Sequence, residues 1–152
     1  LHEFDNLLIT KSFSKIHGLA SIRVGYGIAH PSLIEVLNRI RQPFNVNAVA
    51  QSMASIAIND HEHIRKSIEL NTQQYEFLFN QLSELGLECI PSVGNFITFK
   101  GDFVGKEIFT NLMKKGVIVR AVDLYDMKDF IRVTIGTEAE NLKFLRALEE
   151  LL

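Results

Sequence analysis

The sequence of 152 residues has little of what several protein classes depend on. Its one cysteine, Cys89, excludes an internal disulfide and fits a reducing, cytoplasmic setting. The formal net charge of -2 gives no electrostatic reason to bind nucleic acid or an anionic membrane, so neither is expected as a partner. No apolar run reaches the roughly 20 residues of a membrane-spanning helix, and no signal peptide is visible.

Motifs of several catalytic and binding classes are also missing. The sequence has no Gly-rich P-loop, no Ser-His-Asp order and no cluster with metal-ligand spacing, so no metal is expected. His61 and His63 stand two residues apart, so on a helix they point to different faces and cannot chelate one ion together. The whole sequence contains 47% hydrophobic and 22% charged residues, a composition that is typical of a soluble globular protein with a core.

The order of apolar runs and chain breakers predicts strands that alternate with helices. Strands are predicted over residues 7–10, 23–29, 87–90, 96–99, 117–119 and 130–135. Helices are predicted from Pro31, through residues 49–58, from Asp60 to Gly86, from Val104 to Gly116, and after a capping box at Thr137 and Glu140. The resulting fold class is α/β or mixed α+β.

A polar loop between the first two predicted strands concentrates chemistry. The stretch from Ser12 to Gly27 contains this loop and the beginning of the second predicted strand, and it carries Lys15 and, eight residues later, Arg23. Lysine is the side chain that forms a Schiff base with a carbonyl, while serine hydroxyls and an arginine fork suit a phosphate dianion. Together these are the parts that pyridoxal phosphate (PLP) needs, although a lone loop lysine is usually a solvated charge.

The whole string S-x-S-K-x-x-G-L-A-x-x-R-x-G resembles the PLP-lysine segment of fold-type I aminotransferases. It is most similar to the branch that contains the histidinol-phosphate aminotransferases. The resemblance implies that Lys15 is catalytic and binds the cofactor aldehyde, and that Ser12, Ser14 and Arg23 bind its phosphate. It covers essentially the whole chain but only about the second half of a usual family member, so the chain is expected to be a piece of a longer polypeptide.

Two further arginines match the same family. Arg132 stands in Phe130-Ile131-Arg132-Val133-Thr134-Ile135-Gly136-Thr137, which resembles the segment whose arginine binds the α-carboxylate of the amino acid. Arg120, twelve residues earlier, matches an arginine that contacts the substrate phosphate. Judged alone, either residue could be an ordinary surface charge with its head in solvent.

The resemblance also implies an architecture and an assembly. Residues 1–60 are expected to be the C-terminal part of a large PLP-binding domain, and residues 61–152 a complete small α/β domain. Members of the family work as homodimers on an amino acid and a keto acid. They also use an aspartate, a stacked aromatic ring and a tyrosine around the cofactor, and no residue of this chain matches those three.

The predicted function is therefore transamination between histidinol phosphate and 2-oxoglutarate in histidine biosynthesis, by the full-length protein. A related PLP enzyme, either an aromatic aminotransferase or a threonine-phosphate decarboxylase, remains an alternative. A second alternative is that the chain alone is a non-catalytic binding or assembly module. Because the three partner residues are missing, we expect this polypeptide alone to have negligible transaminase activity.

Overall fold

The computed structural model describes residues 3–152 and contains five α-helices and two β-sheets in that range. The chain divides into two compact units, the first ending at Ser67 and the second running Ile68–Leu152. In chain order the elements are β1 Leu8–Ser12, β2 Gly25–Ala29, α1 Pro31–Ile40, α2 Ala48–Ala57, α3 His61–Glu84, β3 Glu88–Ile90, β4 Phe96–Lys100, α4 Gly105–Lys114, β5 Arg120–Ala121, a 3-10 turn Asp123–Tyr125, β6 Phe130–Thr134 and α5 Glu138–Glu149. The mixed α/β class predicted from the sequence is confirmed.

The first unit is built around a two-stranded antiparallel sheet. Strands β1 and β2 pair from Leu8 opposite Ala29 to Ser12 opposite Gly25. The sequence predicted that residues 7–10 form a buried strand, but every residue of β1 is exposed in this structure. The prediction of burial was wrong because two strands alone cover neither of their own faces.

The helices of the first unit begin at polar caps. The side chain of His30 caps α1, and Pro31 follows it at the first helical position, where its missing N–H costs least. The Asn47 side chain accepts a hydrogen bond from the Ala50 amide at 2.8 Å and caps α2. Asp60 caps α3 in the same way by accepting from the His63 amide at 3.0 Å.

The second unit has a four-stranded antiparallel sheet in the order β3-β4-β6-β5. Alternate residues of its two central strands are buried, and these are Ile97, Phe99, Ile131 and Val133. The later turns of α3 add Leu78 and Leu82 to this core, and α4 and α5 add Ile108, Leu112, Phe144, Leu145, Ala147 and Leu148. The opposite face of the sheet is only partly covered, since Phe96, Thr98 and Arg132 are half-buried.

Glycines end two of the helices where the sequence predicted. Gly86 has φ +79° and Gly116 has φ +73°, the left-handed backbone that closes a helix C-terminus. The predicted capping box also forms, because the Glu140 carboxylate accepts from the Thr137 amide at 2.8 Å and from its hydroxyl at 2.7 Å. Helix α5 therefore starts where the sequence indicates.

Two strand predictions differ from the structure. Residues 117–119 are not a strand, because only Arg120 and Ala121 pair with β6. Val117 and Val119 are buried in the core, so their apolar character reflects packing and not ladder pairing. The second predicted strand begins at Gly25 instead of residue 23, because Arg23 has a left-handed φ of +56° that strand pairing does not allow.

Candidate active site

The loop between β1 and β2 forms a closed turn around Lys15. The Phe13 amide donates to the Val24 carbonyl at 3.2 Å and continues the pairing of the two strands. Inside the loop the Gly18 amide donates to the Lys15 carbonyl at 2.8 Å, and the Leu19 amide donates to the Phe13 carbonyl at 3.0 Å. The Lys15 side chain is exposed, so its amine is open to a ligand.

Ser12 and Ser14 lie at the start of this loop. The Ser14 amide donates to the Ser12 Oγ at 3.0 Å, so this hydroxyl acts as an acceptor toward the chain. A serine hydroxyl has one proton to donate besides its acceptor lone pairs, and that proton is left for another group. An anion such as a phosphate oxygen is the kind of group that accepts it.

Arg23 ends the loop in a strained conformation. Its φ of +56° is unfavourable for a residue with a side chain. The Arg23 Nη1 donates to the Ala20 carbonyl at 2.7 Å, which fixes the guanidinium over the turn. An arginine has five N–H donors, so further donors remain for a ligand. Strain of this kind concentrates at functional sites, and no residue pattern around Arg23 indicated it.

Packing beneath the loop holds the two strands close together. Phe13 is buried, with its ring centroid 4.7 Å from that of His17 and 5.7 Å from that of Tyr26. A Cβ at Gly25 would lie 2.7 Å from the Lys11 carbonyl oxygen, a distance that real side chains do not tolerate. His17 packs against Phe13 within the loop, and its buried Nδ1 lacks a hydrogen-bond partner among the described residues.

His63 contacts this loop, and sequence reasoning missed it. Its Nε2 lies 2.9 Å from the carbonyl oxygen of Ile16, the residue after Lys15. The two residues are 47 positions apart in the chain. No local pattern could have revealed the contact, because it depends on where α3 begins relative to the loop.

A second group of polar residues lies on the sheet of the second unit. Arg120 of β5 and Arg132 of β6 are direct partners across the two antiparallel strands, so both side chains belong to one face. The Arg132 guanidinium stands 4.7 Å from the Phe96 ring centroid, and the Arg120 Nη2 lies 3.4 Å from the Tyr125 hydroxyl. The twelve-residue spacing in the sequence did not reveal that the two arginines are opposite each other.

Two like charges directly opposite on a sheet repel one another. An anion bound between Arg120 and Arg132 would remove this repulsion and gain charge-assisted hydrogen bonds from both. Arg120 is exposed and Arg132 is half-buried, so an anion can reach the pair. The pair therefore has the chemistry of a phosphate or carboxylate site.

Other side chains do not form a competing centre in residues 3–152. No group of three or more His, Cys, Asp and Glu side chains there could hold a metal ion. Cys89 is a half-buried free cysteine, and burial raises the pKa of its thiol, which keeps it protonated at neutral pH. None of the helices in this range is both long and apolar enough to span a membrane.

These two groups of residues agree with a family assignment. The model of the class I and II aminotransferase family matches residues 1–148. The chain belongs to this family.

Within this family, the chain is similar in sequence to several histidinol-phosphate aminotransferases. The chain is 49% identical over all 152 residues to the histidinol-phosphate aminotransferase of Caldicellulosiruptor saccharolyticus and covers 42% of that protein. It is also 49% identical to the histidinol-phosphate aminotransferase of Methylobacillus flagellatus and covers 41% of it. The chain thus spans about two-fifths of the length of these relatives.

A solved structure supports the fold. The histidinol-phosphate aminotransferase of Sinorhizobium meliloti, crystallised in complex with pyridoxal-5'-phosphate, superposes with a TM-score of 0.87 at 21% identity. The match covers 97% of this chain and 42% of that one. At this identity the likeness establishes the shared fold.

Proposed function

We propose that the protein containing this chain is a PLP-dependent aminotransferase that acts on histidinol phosphate and 2-oxoglutarate in histidine biosynthesis. The observation that carries the proposal is the loop that holds an exposed Lys15 between the serine pair and the strained Arg23. High identity to histidinol-phosphate aminotransferases over the whole chain supports the choice of substrate.

The residues of the loop fit PLP by the chemistry of their donors. Lys15 offers a primary amine to an aldehyde, while the Ser12 hydroxyl and the Arg23 guanidinium offer donors to a phosphate. The pairing of β1 with β2 supports one phosphate site shared by Ser12 and Arg23. Ser12 lies opposite Gly25, which is two residues from Arg23. When bound, PLP supplies an electron sink for the charge that develops at the substrate carbon.

Lys15 has a second role in this proposal. With PLP bound, the Lys15 Nζ would hold a proton and move it to and from the substrate carbon, as general acid and base.

The arginine pair supports a phosphorylated substrate. A phosphate monoester is a dianion, and two guanidinium groups on one sheet face match its charge better than one. The same pair can bind the carboxylate of an amino acid or keto acid, which the second substrate requires. Arg120 and Arg132 are therefore the proposed substrate-binding residues.

The lysine assignment can be tested on the full-length protein. After PLP is added and the adduct is reduced with borohydride, mass spectrometry should find the cofactor on the Lys15 peptide. The Lys15→Ala variant should lose the adduct and at least about 10³-fold of kcat, since a positioned acid–base group alone contributes roughly 10²–10⁴-fold. Lys11→Ala, an exposed lysine of β1, is the matched control and should keep both. An unchanged adduct in Lys15→Ala would refute the assignment.

The substrate can be tested with a small panel on the same protein. Transamination of histidinol phosphate should exceed that of histidinol, which lacks the phosphate, and that of phenylalanine. A preference for phenylalanine would replace the proposal with an aromatic aminotransferase. Release of carbon dioxide from threonine phosphate would replace it with a decarboxylase.

We also propose that the 152-residue chain alone is inactive. It covers about two-fifths of its relatives, and an aspartate for the pyridine nitrogen is not matched in it. Assayed alone, it should show no turnover above the rate of free PLP. If borohydride then traps no PLP on Lys15, the isolated chain is a non-catalytic module, and turnover near that of the full-length protein would contradict the proposal.

A homodimer is proposed for the full-length protein. Helices α1 and α2 and their connection expose apolar side chains in the first unit, notably Ile40, Phe44 and Ile56. Phe44 is 96% exposed and has a left-handed φ of +56°, an unfavourable state for an aromatic residue. Light scattering should give the mass of a dimer, and Phe44→Ser should weaken it. A monomeric wild type would mean that the remainder of the same chain covers this surface.

The division of the chain and its cellular location complete the proposal. We assign residues 1–60 to a large cofactor-binding domain and residues 61–152 to a small domain, and limited proteolysis of the full-length protein should cut near the start of α3 if this is correct. We assign the protein to the cytoplasm because Cys89 is unpaired. Recovery of the protein from another compartment in cell fractionation would overturn that location.

A further inference from the structure

We propose that His63 is a positioning residue for Lys15, and this role rests on the proposed function. Its Nε2 donates a hydrogen bond to the Ile16 carbonyl oxygen at 2.9 Å. The contact joins the loop that carries Lys15 to the first turn of α3. Both residues lie within the first unit of the chain.

The contact fixes the backbone that directly follows Lys15. The Lys15 carbonyl accepts from the Gly18 amide at 2.8 Å, and the next carbonyl along the chain, that of Ile16, accepts from His63. Two consecutive peptide units after the lysine are thus bonded. Their orientation sets the direction in which the exposed Lys15 side chain leaves the loop.

His63 is itself held in place. The Asp60 Oδ1 accepts from the His63 amide at 3.0 Å, as the cap of α3. One turn later the Ser67 Oγ lies 3.5 Å from the His63 Nε2, on the same side of the helix. The imidazole therefore reaches the loop from a regular and capped helix, which is a more rigid support than another loop.

The hydrogen bond between His63 and the Ile16 carbonyl can be tested with substitutions that keep or remove its donor. A carbonyl oxygen only accepts, so the His63 Nε2 must carry a proton, as it does in the imidazolium and in one neutral tautomer. The side-chain amide of glutamine also donates N–H at similar reach, whereas leucine fills similar volume and donates nothing. His63→Gln should therefore keep the contact, and His63→Leu should lose it.

The experiment uses the full-length protein and the variants His63→Leu and His63→Gln. His61 is exposed and lies on the same helix, two positions away and on another face, so His61→Leu is the matched control. Hydrogen–deuterium exchange of the cofactor-free protein is followed in peptides covering residues 13–19, whose Gly18 and Leu19 amides are bonded inside the loop. The dissociation constant of PLP is measured on the same samples.

His63→Leu should raise exchange in residues 13–19 by about tenfold and weaken PLP binding by a similar factor, since one hydrogen bond is lost. Both effects should be restored by His63→Gln and absent in His61→Leu. Unchanged exchange in His63→Leu, failure of glutamine to rescue, or equal loosening of peptides covering residues 96–100 would overturn the proposal. If the wild type itself does not bind PLP, the proposed function fails, and exchange in the cofactor-free loop still decides whether His63 positions it.

Discussion

The two compact units of the chain hold their candidate functional residues by different means. In the part of the chain that the structure describes, the first unit buries only Phe13 and Ala50 among its apolar residues, while the second buries a core of fifteen. The Lys15 loop is held by backbone hydrogen bonds and by the hydrogen bond from the Arg23 side chain to the Ala20 carbonyl. Arg23 itself has a strained, left-handed backbone. The pair of Arg120 and Arg132 is held by strand register on a sheet whose other face is packed.

The difference indicates where each site can be disturbed. A site held by register depends on the core behind it, so large changes in packing should affect it from a distance. A site held by a loop depends on individual hydrogen bonds, so single polar substitutions should matter most. The following changes are ordered by the size of the effect expected on stability or activity.

The largest effect is expected from the core of the second unit. Phe99 is fully buried on β4, so Phe99→Ala should lower the free energy of unfolding of the 152-residue chain by about 3–5 kcal/mol. Ile28→Ala on β2 should cost less than about 1 kcal/mol, because Ile28 is 41% exposed. Denaturant unfolding measures both. Equal costs for the two variants would mean that the units are not packed differently.

The next effect concerns the arginine pair. Arg120→Gln should reduce kcat/KM of the full-length protein for histidinol phosphate by about 10–100-fold, because one charge-assisted hydrogen bond of about 1.5–3 kcal/mol is lost. Activity toward an unphosphorylated amine should change much less. Lys100→Gln is the control, since Lys100 lies on the same sheet and pairs with Glu88 at 2.9 Å. An equal loss on both substrates would remove Arg120 from phosphate recognition.

A smaller effect is expected from the strain at Arg23. Arg23→Gly should raise thermal stability by about 1 kcal/mol, because glycine adopts the left-handed backbone without steric cost. The same change should weaken PLP binding, because the guanidinium is removed. Arg23→Ala should weaken PLP binding equally without the gain in stability. If glycine and alanine give the same melting temperature, the backbone at Arg23 is not strained.

The smallest effect is a pH dependence in the second unit. Hydrogen bonds from the Thr137 amide and hydroxyl lower the pKa of Glu140 below its ordinary value. Its carboxylate therefore contributes stability at pH above the ordinary carboxyl pKa, and this contribution is lost as pH falls through the lowered value. Glu140→Gln should lower the melting temperature at neutral pH, and the difference from wild type should shrink in acid. A difference from wild type that stays constant as pH falls would contradict this role of Glu140.

Local signals in the sequence predicted most of the fold. Gly86, Gly116 and the Thr137–Glu140 capping box act through neighbouring residues, and the structure confirms the helix ends they predict. The prediction of a strand over residues 117–119 failed, because pairing with a distant part of the chain decides which residues join the sheet. Residues 117–119 are apolar and β-branched, yet only the two residues that follow them, Arg120 and Ala121, pair with β6.

The candidate site was predictable in its residue types but not in its geometry. The order of serine, lysine and arginine indicated a PLP loop, and the roles of these residues remain predictions. The strain at Arg23, the opposition of Arg120 and Arg132, and the contact from His63 could not be read from spacing. Each depends on how segments far apart in the chain meet, and one sequence carries no record of that.

Gly25 and Gly105 limit the substitutions that this chain can accept, because neither position has room for a side chain. A Cβ at Gly25 would lie 2.7 Å from the Lys11 carbonyl oxygen, and a Cβ at Gly105 would lie 2.5 Å from that of Phe130. Gly25 stands two residues from Arg23, and Phe130 stands two residues from Arg132. Each site is therefore bordered by a position closed to every other amino acid, and a scan of all substitutions should show drift in the surface helices while these two codons vary only silently.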